Sequence, residues 1–137
     1  MNIDLALLTE ELKRDEGYSG TVYTCSAGKL TVGYGHNLEA KPIPQSIAEK
    51  LLECDIGDCM AQCELWPWFF SLNDTRKRVI VNMVFNIGFN GVSNFKKMIS
   101  ALENKDYVLA AAEMTNSKWY AQVGDRATRL VTMMVVG

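Results

Sequence analysis

Only one stretch of this 137-residue chain has the texture of β structure, and its place near the start limits the folds open to the rest. From Val22 to His36 the sequence runs Val-Tyr-Thr, then a Ser26-Ala27-Gly28-Lys29 turn, then Leu-Thr-Val-Gly-Tyr-Gly-His. Two strand-like runs around a glycine-bearing turn predict a hairpin, and Gly33 and Gly35 predict a close approach of backbone to another group. Helical periodicity surrounds it. Ile3, Leu5, Leu8 and Leu12 recur at helical spacing behind Asn2, the predicted cap with Asp4 in the first turn, and Gly17 stops that helix just after Glu16. After Pro42 and Pro44, the pattern Ile47, Leu51, Cys54, Cys59 predicts a helix reaching Leu65, where Trp66-Pro67 breaks it. Asn73 or Asp74 caps a further segment ending at Gly88, and its apolar character nearly all round predicts a buried helix. Four more helical pieces follow, Val92 to Glu103, Lys105 to Met114, Lys118 to Gln122 and Asp125 to the C-terminus.

The expected fold class is therefore α+β and mainly helical. A small hairpin or three-stranded sheet between residues 20 and 37 sits in an N-terminal lobe of about residues 13–65. A long helix joins it to a C-terminal helical lobe of about residues 66–137, to which the N-terminal helix also belongs, and a polymer would lie in the cleft between lobes. The whole chain, 1–137, reads as one domain, long enough to bury roughly two-thirds of its unfolded surface without disulfides.

Charge narrows the partners. Fourteen basic and sixteen acidic residues leave a net charge of −2, so no global positive field draws the chain to nucleic acid or to an anionic membrane. The apolar run at Leu5–Leu8 is too short for a secretory segment, and none is long enough to span a bilayer. Cys25, Cys54, Cys59 and Cys63 form no CxxC pair and have only His36 as a potential co-ligand, which points to free thiols and to no metal site or cofactor. The aromatic cluster Trp66, Trp68, Phe69 and Phe70 reads as lobe packing.

One constellation carries chemistry. Glu16 closes a helix, Cys25 follows in the hairpin and Thr31 lies on the return strand, so one turn can fold all three around a pocket. The strings Arg14-Asp15-Glu16-Gly17-Tyr18, Leu30-Thr31-Val32-Gly33-Tyr34-Gly35-His36, Asn82-Met83-Val84-Phe85-Asn86-Ile87-Gly88 and Ser117-Lys118-Trp119-Tyr120, with Arg126 and Arg129, resemble the phage-type lysozymes, or endolysins, of glycoside hydrolase family 24. The likeness runs in order from about residue 3 to residue 132. It implies a lysozyme-like two-lobe fold and a muramidase that hydrolyses the β-1,4 bond between N-acetylmuramic acid and N-acetylglucosamine in peptidoglycan. By the same resemblance Glu16 is the general acid, Cys25 fills a second position usually held by aspartate, and Thr31 fills the third. Arg126 corresponds to the arginine that pairs with the catalytic glutamate, while His36, Phe85 and Trp119 line the cleft. The implied setting is a host bacterial cytoplasm, with release to the wall through a holin, no stable membrane insertion, and action as a monomer.

The residue types suit that chemistry. A glycosidic oxygen leaves only when protonated, so the site needs a carboxylic acid, and a partly buried Glu16 would offset the pull of a nearby arginine. The second group steadies the developing positive charge, activates water, or attacks the anomeric carbon; a thiolate can do each, which leaves inversion and retention both open. His36 serves either to hold the loop near Glu16 or to contact sugar, and Phe85 either as core or as cleft. A module that binds peptidoglycan without cutting it, and a lytic transglycosylase needing Glu16 alone, are the alternative functions.

Overall fold

The computed structural model describes residues 2–137. Among them the chain forms helix α1 (Leu5–Glu16), strands β1 (Ser19–Thr24), β2 (Leu30–Gly33) and β3 (His36–Asn37), and helix α2 (Gln45–Cys63). A 3-10 turn (Pro67–Ser71) follows, then helices α3 (Asp74–Ser93), α4 (Lys96–Glu103), α5 (Tyr107–Thr115), α6 (Lys118–Val123) and α7 (Asp125–Val136). This is the mainly helical α+β class that the sequence implies. Two compact units divide within α2, the first ending at Glu49 and the second running Lys50–Gly137.

In the first unit Asp4, not Asn2, caps α1. Its extended backbone lets Oδ1 accept the Leu7 amide at 3.0 Å, the usual cap-to-N3 bond, so the helix starts at Leu5 and has no acid in its first turn. Gly17, with φ +70°, ends the helix as expected, donating its N–H to the Lys13 carbonyl. The hairpin is part of one antiparallel sheet ordered β1-β2-β3. Its loop is closed by Gly28 N–H to the Cys25 carbonyl at 2.8 Å and by Cys25 N–H to the Lys29 carbonyl at 2.9 Å. That is a three-residue hairpin loop, and it needs the left-handed φ of +79° that Gly28 supplies. Tyr18 and Tyr34 pack with ring centres 5.6 Å apart, and Lys13 Nζ lies 5.8 Å from the Tyr34 ring, fastening the end of α1 to the sheet. Thr31 is the one buried residue among the described residues of this unit.

The second unit holds the core, where every buried apolar side chain among the described residues lies at or beyond Cys63. Val79, Ile80, Met83 and Val84 of α3 pack with Met98, Leu102, Met114, Leu130 and Met134 from the later helices. Asn73 caps α3 through Oδ1 and the Arg76 amide at 2.9 Å. The expected stop at Gly88 is instead a kink: that residue takes φ 82° and ψ 163°, and a second helical stretch continues to Ser93. Nor is α3 buried all round, for Phe85 and Asn86 are exposed. The aromatic cluster packs as expected around Trp66, whose ring stacks on Trp68 at 5.0 Å and on Phe89 at 4.5 Å, while Phe70 stays exposed. Arg76 closes the far end of α7, donating Nε to the Met134 carbonyl at 2.9 Å with its guanidinium 3.7 Å from the Tyr107 ring centre. No described helix is long and apolar enough to cross a membrane.

Candidate active site

Glu16 stands where α1 ends, and its carboxyl rests against the backbone of Gly35 in the turn between β2 and β3. A Cβ at Gly35 would lie 2.5 Å from Glu16 Oε2 and 2.8 Å from its Cδ, and the residue takes φ +69°. Glycine is thus required there twice, by conformation and by the carboxyl lying on it. Glu16 itself is exposed rather than partly buried.

Cys25 opens the hairpin loop opposite Lys29, and Thr31 lies two residues further along β2, paired with Tyr23 in the ladder. The Cys25 thiol is held below the usual cysteine range. The Lys29 amide is the largest cause, followed by the Ala27 amide and the Thr31 hydroxyl. A side chain at the first position of a turn commonly accepts the amide two residues on, as aspartate does, so the Ala27 contact follows from the loop itself. Thr31 is 3 % exposed, and its hydroxyl also lies 2.9 Å from the Lys29 carbonyl.

His36 on β3 is held by its Nε2, 2.9 Å from the Lys41 carbonyl. A carbonyl only accepts, so Nε2 carries the proton and Nδ1 is the nitrogen left to accept. The bond runs to the following loop and not toward Glu16. Two polar side chains that sequence reasoning passed over hold the same corner. Asn37 Oδ1 accepts the Glu39 and Ala40 amides at 3.0 Å, and Glu39 Oε2 accepts the Leu30 amide at 2.6 Å beside Thr31.

Phe85, Trp119 and Arg126 all lie in the second unit. Phe85 and Arg126 line one groove of about 850 Å³, whose apolar wall includes Leu52, Ile56 and Met60 at every fourth residue of α2. Arg126 Nε donates to Asn82 Oδ1 at 2.8 Å, which fixes the guanidinium. Trp119 stands apart from that groove. It is 6 % exposed, its indole N–H donates to Asn86 Oδ1 at 2.9 Å, and it borders a separate cavity of about 670 Å³ with Phe95 and Lys118. The two asparagines, one turn apart on α3, were missed as functional residues. The available signal was two amide side chains at i, i+4 in an otherwise apolar helix, where a polar group must find a partner.

The structure thus sets Glu16, Cys25 and Thr31 on the same small unit and groups Phe85 with Arg126. Comparison with known proteins adds a second line of observation. The phage lysozyme family matches residues 13–133. The chain is 30% identical to probable T4-type lysozyme 1 of Dictyostelium discoideum, covering 95% of this chain and 94% of that protein. It is 34% identical to an endolysin of Acyrthosiphon pisum secondary endosymbiont phage 1, covering 87% and 82%. It is also 28% identical to the pre-baseplate central spike protein Gp5 of Enterobacteria phage T4, covering 95% of this chain but 28% of that much longer protein.

Proposed function

The chain belongs to the phage lysozyme family, glycosidases that hydrolyse peptidoglycan, and from that premise we propose that it is a muramidase. In this reading residues 1–137 act as one catalytic domain that cleaves the β-1,4 bond between N-acetylmuramic acid and N-acetylglucosamine during lysis. The observation that carries it is the first unit's arrangement: Cys25 opens the hairpin loop, Thr31 is buried on the return strand, and the Glu16 carboxyl rests on Gly35 of the adjoining turn.

Glu16 is the general acid. Sugar bound over this carboxyl strips away its water, and that loss favours the neutral, proton-donating form. Protonation of the glycosidic oxygen lets the bond break while positive charge grows on the ring, and the Cys25 sulfur steadies that charge or engages the anomeric centre. Arg126 supports the acid, and His36, Phe85 and Trp119 contact the polymer. The protein acts as a monomer and waits in the host cytoplasm for a holin to release it, as the endolysin relative suggests.

The test is product analysis on purified peptidoglycan. Hydrolysis leaves a new reducing end; an anhydro sugar identifies a transglycosylase, and binding without product identifies a non-catalytic module. Cys25→Ser should lose most activity, Cys25→Asp should retain it, and only the native chain should be inhibited by iodoacetamide. Full activity in Cys25→Ala would remove Cys25 from the mechanism.

A further inference from the structure

Of the five tyrosines in the chain, the two that are exposed, Tyr18 and Tyr34, are the two that pack on each other. Tyr18 is 73% exposed and Tyr34 49%, yet their ring centres stand 5.6 Å apart with the planes tilted by 50°. Each ring has a second hold. The Tyr18 hydroxyl lies over the bare backbone of Gly20, where a Cβ would come within 2.8 Å of it, and Lys13 Nζ stands 5.8 Å from the centre of the Tyr34 ring. Two ring faces are thus kept ordered and wet, and their apolar area gains nothing from the fold. A partner that covers them meets side chains already fixed, so little rotamer freedom is lost on contact.

We propose that Tyr18 and Tyr34 form a stacking platform for one sugar ring of the glycan strand, beside the carboxyl of Glu16. The identity of the polymer rests on the muramidase reading. A β-1,4-linked pyranose carries its polar groups around the rim and turns axial C–H bonds to each face, which suits it to a phenol face with hydroxyls at the edge. The Lys13 ammonium beside Tyr34 is available to the rim, since its 3.5 Å contact with Glu10 is an exposed pair of little strength. Position points the same way. Lys13 precedes Glu16 by one turn of α1, and Tyr34 is followed in the chain by Gly35, on which the Glu16 carboxyl rests. Platform and carboxyl therefore share the end of α1, and a strand laid on the tyrosines runs past the acid. A contact of this kind holds the sugar equally before and during reaction, so it acts on KM rather than on kcat.

The experiment separates binding from cleavage. The Glu16→Gln chain is sedimented with purified peptidoglycan, and peptide-free strands of alternating N-acetylglucosamine and N-acetylmuramic acid are the soluble competitor. Adding Tyr18→Ala or Tyr34→Ala should raise the half-saturating concentration roughly fivefold, the scale of a contact residue that carries binding energy. Tyr18→Phe, which keeps the ring, should bind as the parent does. In the otherwise native chain the alanine changes should raise KM for wall hydrolysis by a like factor and leave kcat in place. Should alanine loosen the end of α1, Tyr18→Leu keeps an apolar contact with Tyr34 but offers no flat face: its thermal midpoint should hold while its binding falls. Unchanged binding in Tyr18→Leu and in folded Tyr34→Ala would overturn the proposal. So would failure of the peptide-free strands to compete, which would give the tyrosines to the wall's peptides, or a dimer of this chain that the alanine changes dissolve. Failure of the muramidase reading looks different: tyrosine-dependent binding to the wall, with no new reducing ends from the native chain, would uphold the platform and refute the cleavage.

Discussion

The two units of this chain are stabilised by different means. In the second, a continuous core of methionine, leucine, valine and isoleucine side chains from α3 to α7 is shut off from water. In the first, no apolar side chain is fully buried among the described residues, and the sheet is held by loop hydrogen bonds, a glycine under a carboxyl, and polar side chains bonded to backbone. Packing energy is spread over many contacts, whereas the first unit's geometry hangs on a few specific atoms. A reaction centre that must present exposed polar groups cannot be built from a dry core, so substitutions should separate: changes to the first unit's polar groups cost activity, and changes in the second unit's core cost stability.

The sharpest separation is expected for Glu16→Gln. Glutamine keeps the shape but cannot donate the proton, so wall hydrolysis should fall by roughly 10² to 10⁴, the contribution of general acid catalysis. Because Glu16 is exposed, the unfolding midpoint should stay where it is. A melting shift of many degrees would show that the carboxyl holds the fold as well as the reaction.

The converse is Ile80→Ala. Ile80 is fully buried on α3, and removing its branched side chain should cost about 2–5 kcal/mol through lost burial and the cavity left behind. Chemical denaturation would read the loss, while activity per folded molecule should hold. Loss of specific activity below the unfolding transition would break the comparison.

How the two units differ also explains what the sequence discloses. The hairpin is legible because Ser26-Ala27-Gly28-Lys29 supplies the residue type its loop conformation demands, and α1 ends at a glycine for the same reason. Glu16, Cys25 and Thr31 are legible as a group through their order and spacing, yet what acts on the Cys25 sulfur is partly the amides of Lys29 and Ala27, which no side-chain letter encodes. The Asn2 cap fails because two acceptors stand two residues apart and only backbone conformation selects Asp4. On α3, composition cannot say which side faces water: Phe85 stays 43% exposed in an apolar run, and Asn82 and Asn86 acquire purpose only once Arg126 and Trp119 arrive from α7 and α6. Long-range partners of this kind are set by topology.

Gly35→Ala probes a place where the separation should fail. Alanine at φ +69° costs about 1–2 kcal/mol, a modest stability loss. Its methyl group would also occupy the space of the Glu16 carboxyl, so hydrolysis should fall by more than the stability loss accounts for. Equal activity in the folded variant would mean that the observed seat of Glu16 is not the one used in the reaction.

At neutral pH the smallest effect should come from Cys63, whose contribution shows only at high pH. This thiol is fully buried at the end of α2, and burial, with a lesser push from Cys59, raises its pKa to about 12. An unfolded chain ionises the same group near pH 8.5 to 9, so above that range the unfolded state releases a proton that the native state keeps. Stability should therefore fall as pH rises from about 9 toward 12, by up to about 1.4 kcal/mol per pH unit for this one group, and none of this loss should appear at neutral pH. The informative quantity is the difference between the native chain and Cys63→Ala, which isolates this one group. The variant should begin slightly less stable at pH 7 for want of the sulfur's packing and then lose stability more slowly as the solution is made alkaline. Parallel curves would mean that the native state opens to let Cys63 ionise, and the core at the end of α2 would then share the looser character of the first unit.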